Sequence, residues 1–222
     1  IDIHSHILPG IDDGAKNINE SIELISEMKK IGFSKIICTP HTYAGVYDNS
    51  NNTIKKSYDK LKKELNEDII LEYASEYMLD EKFLKRLEEK SLLTINYKYI
   101  LIEIGFIAMP NQLYEIIFKI QTAGFIPILA HPERYIFLLD NFEELVKLKK
   151  VGCKFQVNLL STIGYYGSAI TKMTDKLLKK NMVDFVGSDI HSKKHINMFN
   201  NKIRIKEIEK LKKSIESNKK FR

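Results

Sequence analysis

The sequence predicts an α/β fold of parallel strands, curled into a small or distorted barrel and finished by a C-terminal helix. Three observations predict it. Short apolar runs alternate with helical patterns almost throughout the 222 residues. Glycines stand where several of the helical patterns end. Histidines and carboxylates follow the apolar runs one after another, as polar residues do at the C-terminal ends of barrel strands. Seven runs and the modest length favour a reduced barrel over an eight-stranded one, with a doubly wound open sheet as the alternative.

From the N-terminus, a strand is expected over residues 1–6, where Ile-Asp-Ile-His opens the chain, and a helix over 21–31, ended by Gly32. Apolar runs predict strands at 35–39 and 69–73, separated by a helix over 54–65. The polar stretch from Asp48 to Thr53 reads as a mobile loop beside the barrel mouth. A short helix over 81–87 leads to a strand at 99–103. A helix over 112–123, ended by Gly124, leads to the strand 126–130. A helix over 142–150, ended by Gly152, leads to the strand 153–158, and a helix over 170–180 to the last strand, 184–188. Glycine at these ends suits the left-handed conformation of a helix C-cap. Ile205, Ile208, Leu211 and Ile215 recur at helical spacing and predict a terminal amphipathic helix. One domain over residues 1–222 is expected.

Composition narrows the class. Hydrophobic residues make up 44% and charged residues 29%, as in ordinary soluble domains. No apolar stretch approaches the roughly 20 residues of a membrane helix. No signal-peptide pattern opens the chain, so the expected compartment is the cytosol. Cys38 and Cys153 both lie in apolar runs and read as buried thiols. A cysteine-nucleophile phosphatase would carry an Arg six positions after its Cys; Ala44 and Leu159 stand there instead. The net charge of +6 is concentrated in the C-terminal helix, which reads as a solvated basic face or as a footprint for acidic partners.

The chemistry-bearing residues are His4 and His6 after the first run, Asp13 in the loop beyond it, His41, Glu76, Glu103, His131 with Glu133 and Arg134, and Asp189 with His191. His4 and His6 alternate along a strand, so both face one side. Each signal alone is weak: a His-x-His pair arises by chance, and a strand-end Glu is ordinarily a solvated cap. Their joint placement argues for a metal site, because buried histidines and carboxylates are costly unless paired or metal-bound. Imidazole and carboxylate suit Zn, Mn and Fe. The sixth run ends in Asn158 without a ligand candidate. His195 lies in a Lys-rich polar segment and is expected to be solvated.

Together, the segment from Ile1 to Gly14, Thr39-Pro40-His41, Glu76, Leu101-Ile102-Glu103, His131 to Tyr135, Gln156-Val157-Asn158 and Ser188 to His191 resemble the PHP (polymerase and histidinol phosphatase) superfamily. Within it they resemble the bacterial protein-tyrosine phosphatases encoded with capsule and exopolysaccharide genes. The resemblance spans residues 1 to about 192. It implies a distorted seven-stranded barrel of PHP type with three divalent ions, manganese foremost and iron or zinc as options. One ion would take His4, His6, Asp189 and a shared Glu76, the second Glu76, Glu103 and His131, and the third Asp13, His41 and His191. Arg134 would clamp phosphate, and Asp189 would join it as a catalytic residue. Two stretches depart from the pattern. Residues 42–47 lack a basic or His-rich run, and Ser192-Lys193-Lys194-His195 lacks an Arg found in some relatives, leaving Lys193 or Lys194 as substitutes at the substrate.

The function this implies is metal-dependent hydrolysis of phosphotyrosine, with hydroxide attacking phosphorus in line and no phosphoenzyme. The implied partner is the phosphorylated tail of a membrane-associated tyrosine kinase controlling polysaccharide export, with no nucleic acid expected. A histidinol-phosphate-type phosphatase is a rival. It would ordinarily offer a His near Glu103, where this chain reads Leu-Ile-Glu-Ile-Gly. A PHP phosphodiesterase or nuclease and a non-catalytic binding module complete the alternatives.

Overall fold

The computed structural model describes residues 1–66 and 68–222. Its strands are β1 (Lys35–Cys38), β2 (His41–Thr42), β3 (Ile70–Tyr73), β4 (Glu76–Met78), β5 (Tyr99–Glu103), β6 (Ile126–Ala130), β7 (Lys154–Asn158) and β8 (Phe185–Gly187). Every ladder between them is parallel. β1 pairs with β3, and the rest form one sheet in the order β2-β4-β5-β6-β7-β8. The helices α1 (Ile18–Lys30), α2 (Asn51–Glu64), α3 (Phe83–Glu88), α4 (Leu113–Thr122), α5 (Ile136–Leu139), α6 (Phe142–Lys150), α7 (Ser168–Lys179), α8 (Lys193–Met198) and α9 (Ile208–Ser217) occupy the connections and the C-terminal region. This is the α/β fold with a curled parallel sheet that the alternation predicts. Gly32, Gly124 and Gly152 all take positive φ after their helices.

The strand count differs from the expected seven. The second and third predicted strands each continue past a break, giving β1 then β2 and β3 then β4. Pro40 lacks an N–H and interrupts the ladder. The register nevertheless carries on through Ala74 N to Cys38 O (2.8 Å) and Glu76 N to Pro40 O (3.1 Å). Residues 1–6 form no regular strand; Asp2 and Ser5 make isolated parallel bridges to Ile36 and Ile190. The segment is still held on both sides, by Ile37 N to Asp2 O and Thr39 N to Ser5 O, and by Asp189 N to His4 O and His6 N to Ile190 O.

Alternation along the strands places an apolar layer below a polar one. Ile37, Ala74, Leu101 and Ile128 join Tyr99, Phe185 and Phe221 in one buried cluster. Two or four residues on, the same faces of three of these strands carry His41, Glu76 and Glu103. The opposite faces, with Ile100, Ile102, Leu129, Phe155 and Val157, pack against the helices.

One expectation is corrected. Residues 51–53 of the stretch 48–53 form the first turn of α2, with Ser50 as its N-cap, rather than a mobile loop. The Ser50 backbone N–H and hydroxyl exchange hydrogen bonds with Thr53. The basic C-terminal helix leads to the starting ends of the strands. Phe221, just after α9, packs on Tyr99 and Phe185, the first residues of β5 and β8. Much of the charge there is locally paired, as in Lys210 with Glu207 and Lys212 with Glu209. No helix among the described residues is long and apolar enough to cross a membrane.

Candidate active site

At the finishing ends of the strands, His4, His6, Asp13, His41, Glu76, Glu103, His131, Asp189 and His191 all contribute to clusters of candidate ligands. Among the described residues, four sets of ligand atoms each lie within 4.8 Å of one another: His6, Asp13, His41 and His191; His4, His6 and Asp189; His4, Glu76 and His131; His41, Glu76 and Glu103. His4, His6, His41 and Glu76 each occur in two sets, whereas the expected partition shared only Glu76. His131 Nε2 reaches both Glu76 Oε1 (3.3 Å) and Glu103 Oε1 (3.4 Å).

Local backbone makes the convergence possible. Residues 10–15 fold back over His6 through Ala15 N to His6 O and Gly10 N to Ala15 O. A Cβ at Gly14 would stand 1.8 Å from His6 O, so only glycine fits that approach. His131 (φ 34°) and Asp189 (φ 53°) hold left-handed conformations without being glycine. Such strain of about 1–3 kcal/mol persists where surrounding structure enforces it.

Hydrogen bonding fixes the imidazoles. His4 Nδ1 donates to Gln156 Oε1 (2.7 Å), His6 Nδ1 to Asp12 Oδ2 (2.8 Å) and His191 Nδ1 to the Asp189 carbonyl (2.9 Å). In the neutral rings their Nε2 atoms therefore carry the lone pairs, free to bind a metal ion. The Nε2 atoms of His4 and His6 stand 3.1 Å apart, and Glu76 Oε2 lies 3.1 and 3.3 Å from them. Asp189 Oδ1 lies 3.4 Å from each. Neither oxygen of Glu76 makes a hydrogen bond, although the residue is fully buried. Nitrogen and carboxylate atoms packed this closely are costly unless a positive charge, a proton or a metal ion, lies among them.

The electrostatics agree. Burial opposes charge on His4 and His6, yet Glu76 and Asp189 hold His4, and Asp12 with Asp189 and Glu76 holds His6, above the usual imidazole range. Burial and the neighbouring Glu76 and Asp189 carboxylates push Glu103 well above the usual carboxylate range. Burial would raise Asp13, but the hydrogen bond and charge of His191 bring it to about 2. Burial, helped by Arg134, lowers His131 to about 4, so it is a neutral imidazole at pH 7. The donor set is thus short of positive charge, and its nitrogen and oxygen atoms suit Mn, Fe or Zn.

Beside these groups lies an open cavity of about 400 Å³ lined by Asp13, His41, Glu103, Phe106, His131, Arg134, Tyr165, Tyr166, Asp189, His191 and His195. Arg134 Nη1 donates to Asp189 Oδ2 (2.9 Å). Its guanidinium lies 4.3 Å from the Tyr166 ring centre and 5.0 Å from that of Phe106. Lys193 turns away to pair with Glu23, and Lys194 sits 5.8 Å over Tyr165; neither lines the cavity. His195 does line it, packed edge-on against Tyr165. The expectation of a solvated His195 is corrected: α8 turns its ring back over the residue 189–191 backbone.

Several participants had no role assigned from the sequence. Asp12 holds both His6 Nδ1 and the His41 N–H (3.1 Å); its only signal was its place beside Asp13. Gln156 and Asn158 alternate on one strand face. Asn158 donates to Asp189 Oδ2 (2.6 Å). Buried Glu133 accepts from Asn158 N (2.8 Å) and Ser161 Oγ (2.7 Å), anchoring that turn. Burial pushes the Glu133 carboxyl up to about 7. Nothing local marked Phe106 or Tyr166. Both cysteines are buried, with thiols pushed up by burial, Cys153 to about 12, and stand outside the cavity.

Comparison with known proteins points the same way. A family model described as capsular polysaccharide synthesis, CpsB/CapC, matches residues 1–216. The chain is 36% identical over 201 residues to the tyrosine-protein phosphatase YwqE of Bacillus subtilis, covering 89% of this chain and 79% of that protein. It is 33% identical over 198 residues to the putative tyrosine-protein phosphatase CapC of Staphylococcus aureus, covering 86% and 77%. Among solved structures, one from a study of B. subtilis YwqE and Streptococcus pneumoniae CpsB, described as unique metal-dependent tyrosine phosphatases, superposes with a TM-score of 0.84. Sequence identity there is 31%, covering 96% of this chain and 86% of that one. With its fold, its converging ligand atoms and a family match over nearly its whole length, this chain belongs to the CpsB/CapC family of capsular polysaccharide synthesis.

Proposed function

We propose that this chain is a metal-dependent phosphatase that hydrolyses phosphotyrosine in proteins. The observation that carries the reading is the convergence of His4 Nε2, His6 Nε2 and the hydrogen-bond-free Glu76 carboxylate beside Arg134. The names of the relatives support the substrate class. The chain acts as one domain of PHP type, with the strands taken as a distorted seven-stranded barrel. Three ions, manganese foremost, are held by His4, His6, Asp13, His41, Glu76, Glu103, His131, Asp189 and His191. Divalent ions there would act as Lewis acids and make hydroxide available at neutral pH by lowering the pKa of water to about 7.

The chain's own groups do the rest. Gln156 and Asp12 fix the tautomers of His4 and His6, so their lone pairs point inward without reorganisation. Asp189 holds Arg134 in place, and the guanidinium stacked on Tyr166 offers its remaining N–H groups to the phosphoryl oxygens. Phe106, Tyr165 and Tyr166 give the cavity aromatic walls for the phenyl ring. Attack opposite the phenolate, without a phosphoenzyme, expels a leaving group whose parent acid has a pKa of about 10. The biological substrate in this reading is the phosphorylated tail of a membrane-associated tyrosine kinase of capsule or exopolysaccharide synthesis, met in the cytoplasm.

The test is phosphate release from a phosphotyrosine peptide, a phosphoserine peptide and histidinol phosphate, each with Mn(II) and with EDTA. EDTA-sensitive turnover of phosphotyrosine is expected. Preference for histidinol phosphate would overturn the substrate while keeping the metal site, and turnover that survives EDTA would overturn the metal dependence.

A further inference from the structure

His195 offers a hydrogen-bond donor to the cavity, and its tautomer follows from backbone accounting. His195 Nδ1 lies 3.2 Å from the His191 backbone N and 3.1 Å from the Asp189 carbonyl oxygen. The two contacts make opposite demands. The N–H of His191 requires Nδ1 to accept; the carbonyl requires it to donate. The carbonyl already receives His191 Nδ1–H at 2.9 Å, whereas the His191 N–H has no other acceptor among the described residues. An orphaned N–H costs more than a carbonyl with one bond. Nδ1 therefore accepts, and the proton of the neutral ring resides on Nε2.

The ring edge bearing Nδ1 is turned to the residue 189–191 backbone, while the residue lines the same cavity as Arg134, Tyr165 and Tyr166. Nε2 makes no hydrogen bond to any described residue. The ring is braced edge-on by Tyr165 (centroids 5.1 Å apart) and by His191 (5.5 Å). The basic groups nearby are partly engaged already. Lys193 is engaged by Glu23, and Arg134 spends one N–H on Asp189.

We infer that His195, through Nε2–H, is a substrate-binding residue that grips a phosphoryl oxygen alongside Arg134. The inference rests on the phosphatase reading above.

The experiment compares His195→Ala, His195→Gln and His195→Asn in the Mn(II)-loaded protein, by calorimetric binding of inorganic phosphate and by KM and kcat on a phosphotyrosine peptide. Gln places an amide N–H near the position of Nε2; Asn reproduces only the acceptor at Nδ1. Expected for Ala and Asn is phosphate binding about 10-fold weaker with KM raised in parallel, the scale of one lost hydrogen bond. Gln is expected to stay within about threefold of the parent protein. Phosphate binding that survives in Asn but fails in Gln would assign His195 to orienting His191 alone and overturn the inference. Wild-type binding in all three variants would overturn it too. Phosphate binding by the parent protein without phosphotyrosine turnover would sink the phosphatase reading and leave the calorimetric comparison still decisive for His195.

Discussion

At the starting ends of the strands, Phe221 lies on Tyr99 and Phe185 with ring centres 5.2 and 4.9 Å apart. Asn218 there makes hydrogen bonds to Ile1 O (3.0 Å) and Val186 O (2.8 Å) and accepts from Val186 N (3.2 Å). At the finishing ends, Glu76 is equally buried, yet its carboxylate has no hydrogen-bond partner, and two residues of the rim hold left-handed backbone. The difference is one of satisfaction rather than polarity. Asp2, buried a few residues from the site, makes the point within a single segment. It accepts from the Ser188 N–H (2.8 Å) and the Ser188 hydroxyl. A buried polar group with its partners in place stabilises the fold; one without them marks a place where a ligand completes the structure.

The comparison breaks most visibly at Glu76. Glu76→Gln removes the charge while keeping the shape. Hydrolysis is expected to fall by more than about 10³-fold, beyond the 10–100-fold that losing a residue which only orients a ligand costs. Equilibrium metal content, measured beside the rate, should fall with it, and a fully active Glu76→Gln protein would remove the site from contention. Phe221→Ala attacks the other end. Stability should drop by about 3–5 kcal/mol in denaturant unfolding, with the rate per folded molecule unchanged; a change in kcat would mean that the two ends are coupled.

Gln156→Ala lies between these extremes, since Gln156 touches His4 but has no place in the cavity lining. Metal affinity should fall about 10–100-fold, read by competition with a chelator. Asp2→Asn should cost about 1–3 kcal/mol of stability and leave metal binding intact, and metal loss there would erase the contrast between Asp2 and Glu76. The smallest effect is expected from Lys210→Glu and Lys213→Glu. Both residues sit on α9, whose following turn closes the starting ends, so stability should move within about 0.5 kcal/mol and kinetics on a phosphopeptide at low salt should not change.

The sequence by itself determined the α/β class, most of the alternation of strands and helices, and the nine residues whose atoms converge. Period-two alternation and the position of polar residues just past apolar runs are local signals, and Ile37 with His41 or Leu101 with Glu103 carry them within a few residues. The tertiary structure alone decided which atoms face each other. The sharing of His4, His6 and His41 between ligand sets, the proton positions set by Gln156 and Asp12, and the turn of α8 that brings His195 over the cavity all depend on segments far apart in the chain. So do the interrupted ladders at Pro40 and the seating of Phe221 beneath β5 and β8. Hydrogen bonds and ring packing act over a few ångströms, and only the curling of the sheet brings residues 4, 76, 156 and 189 within that range.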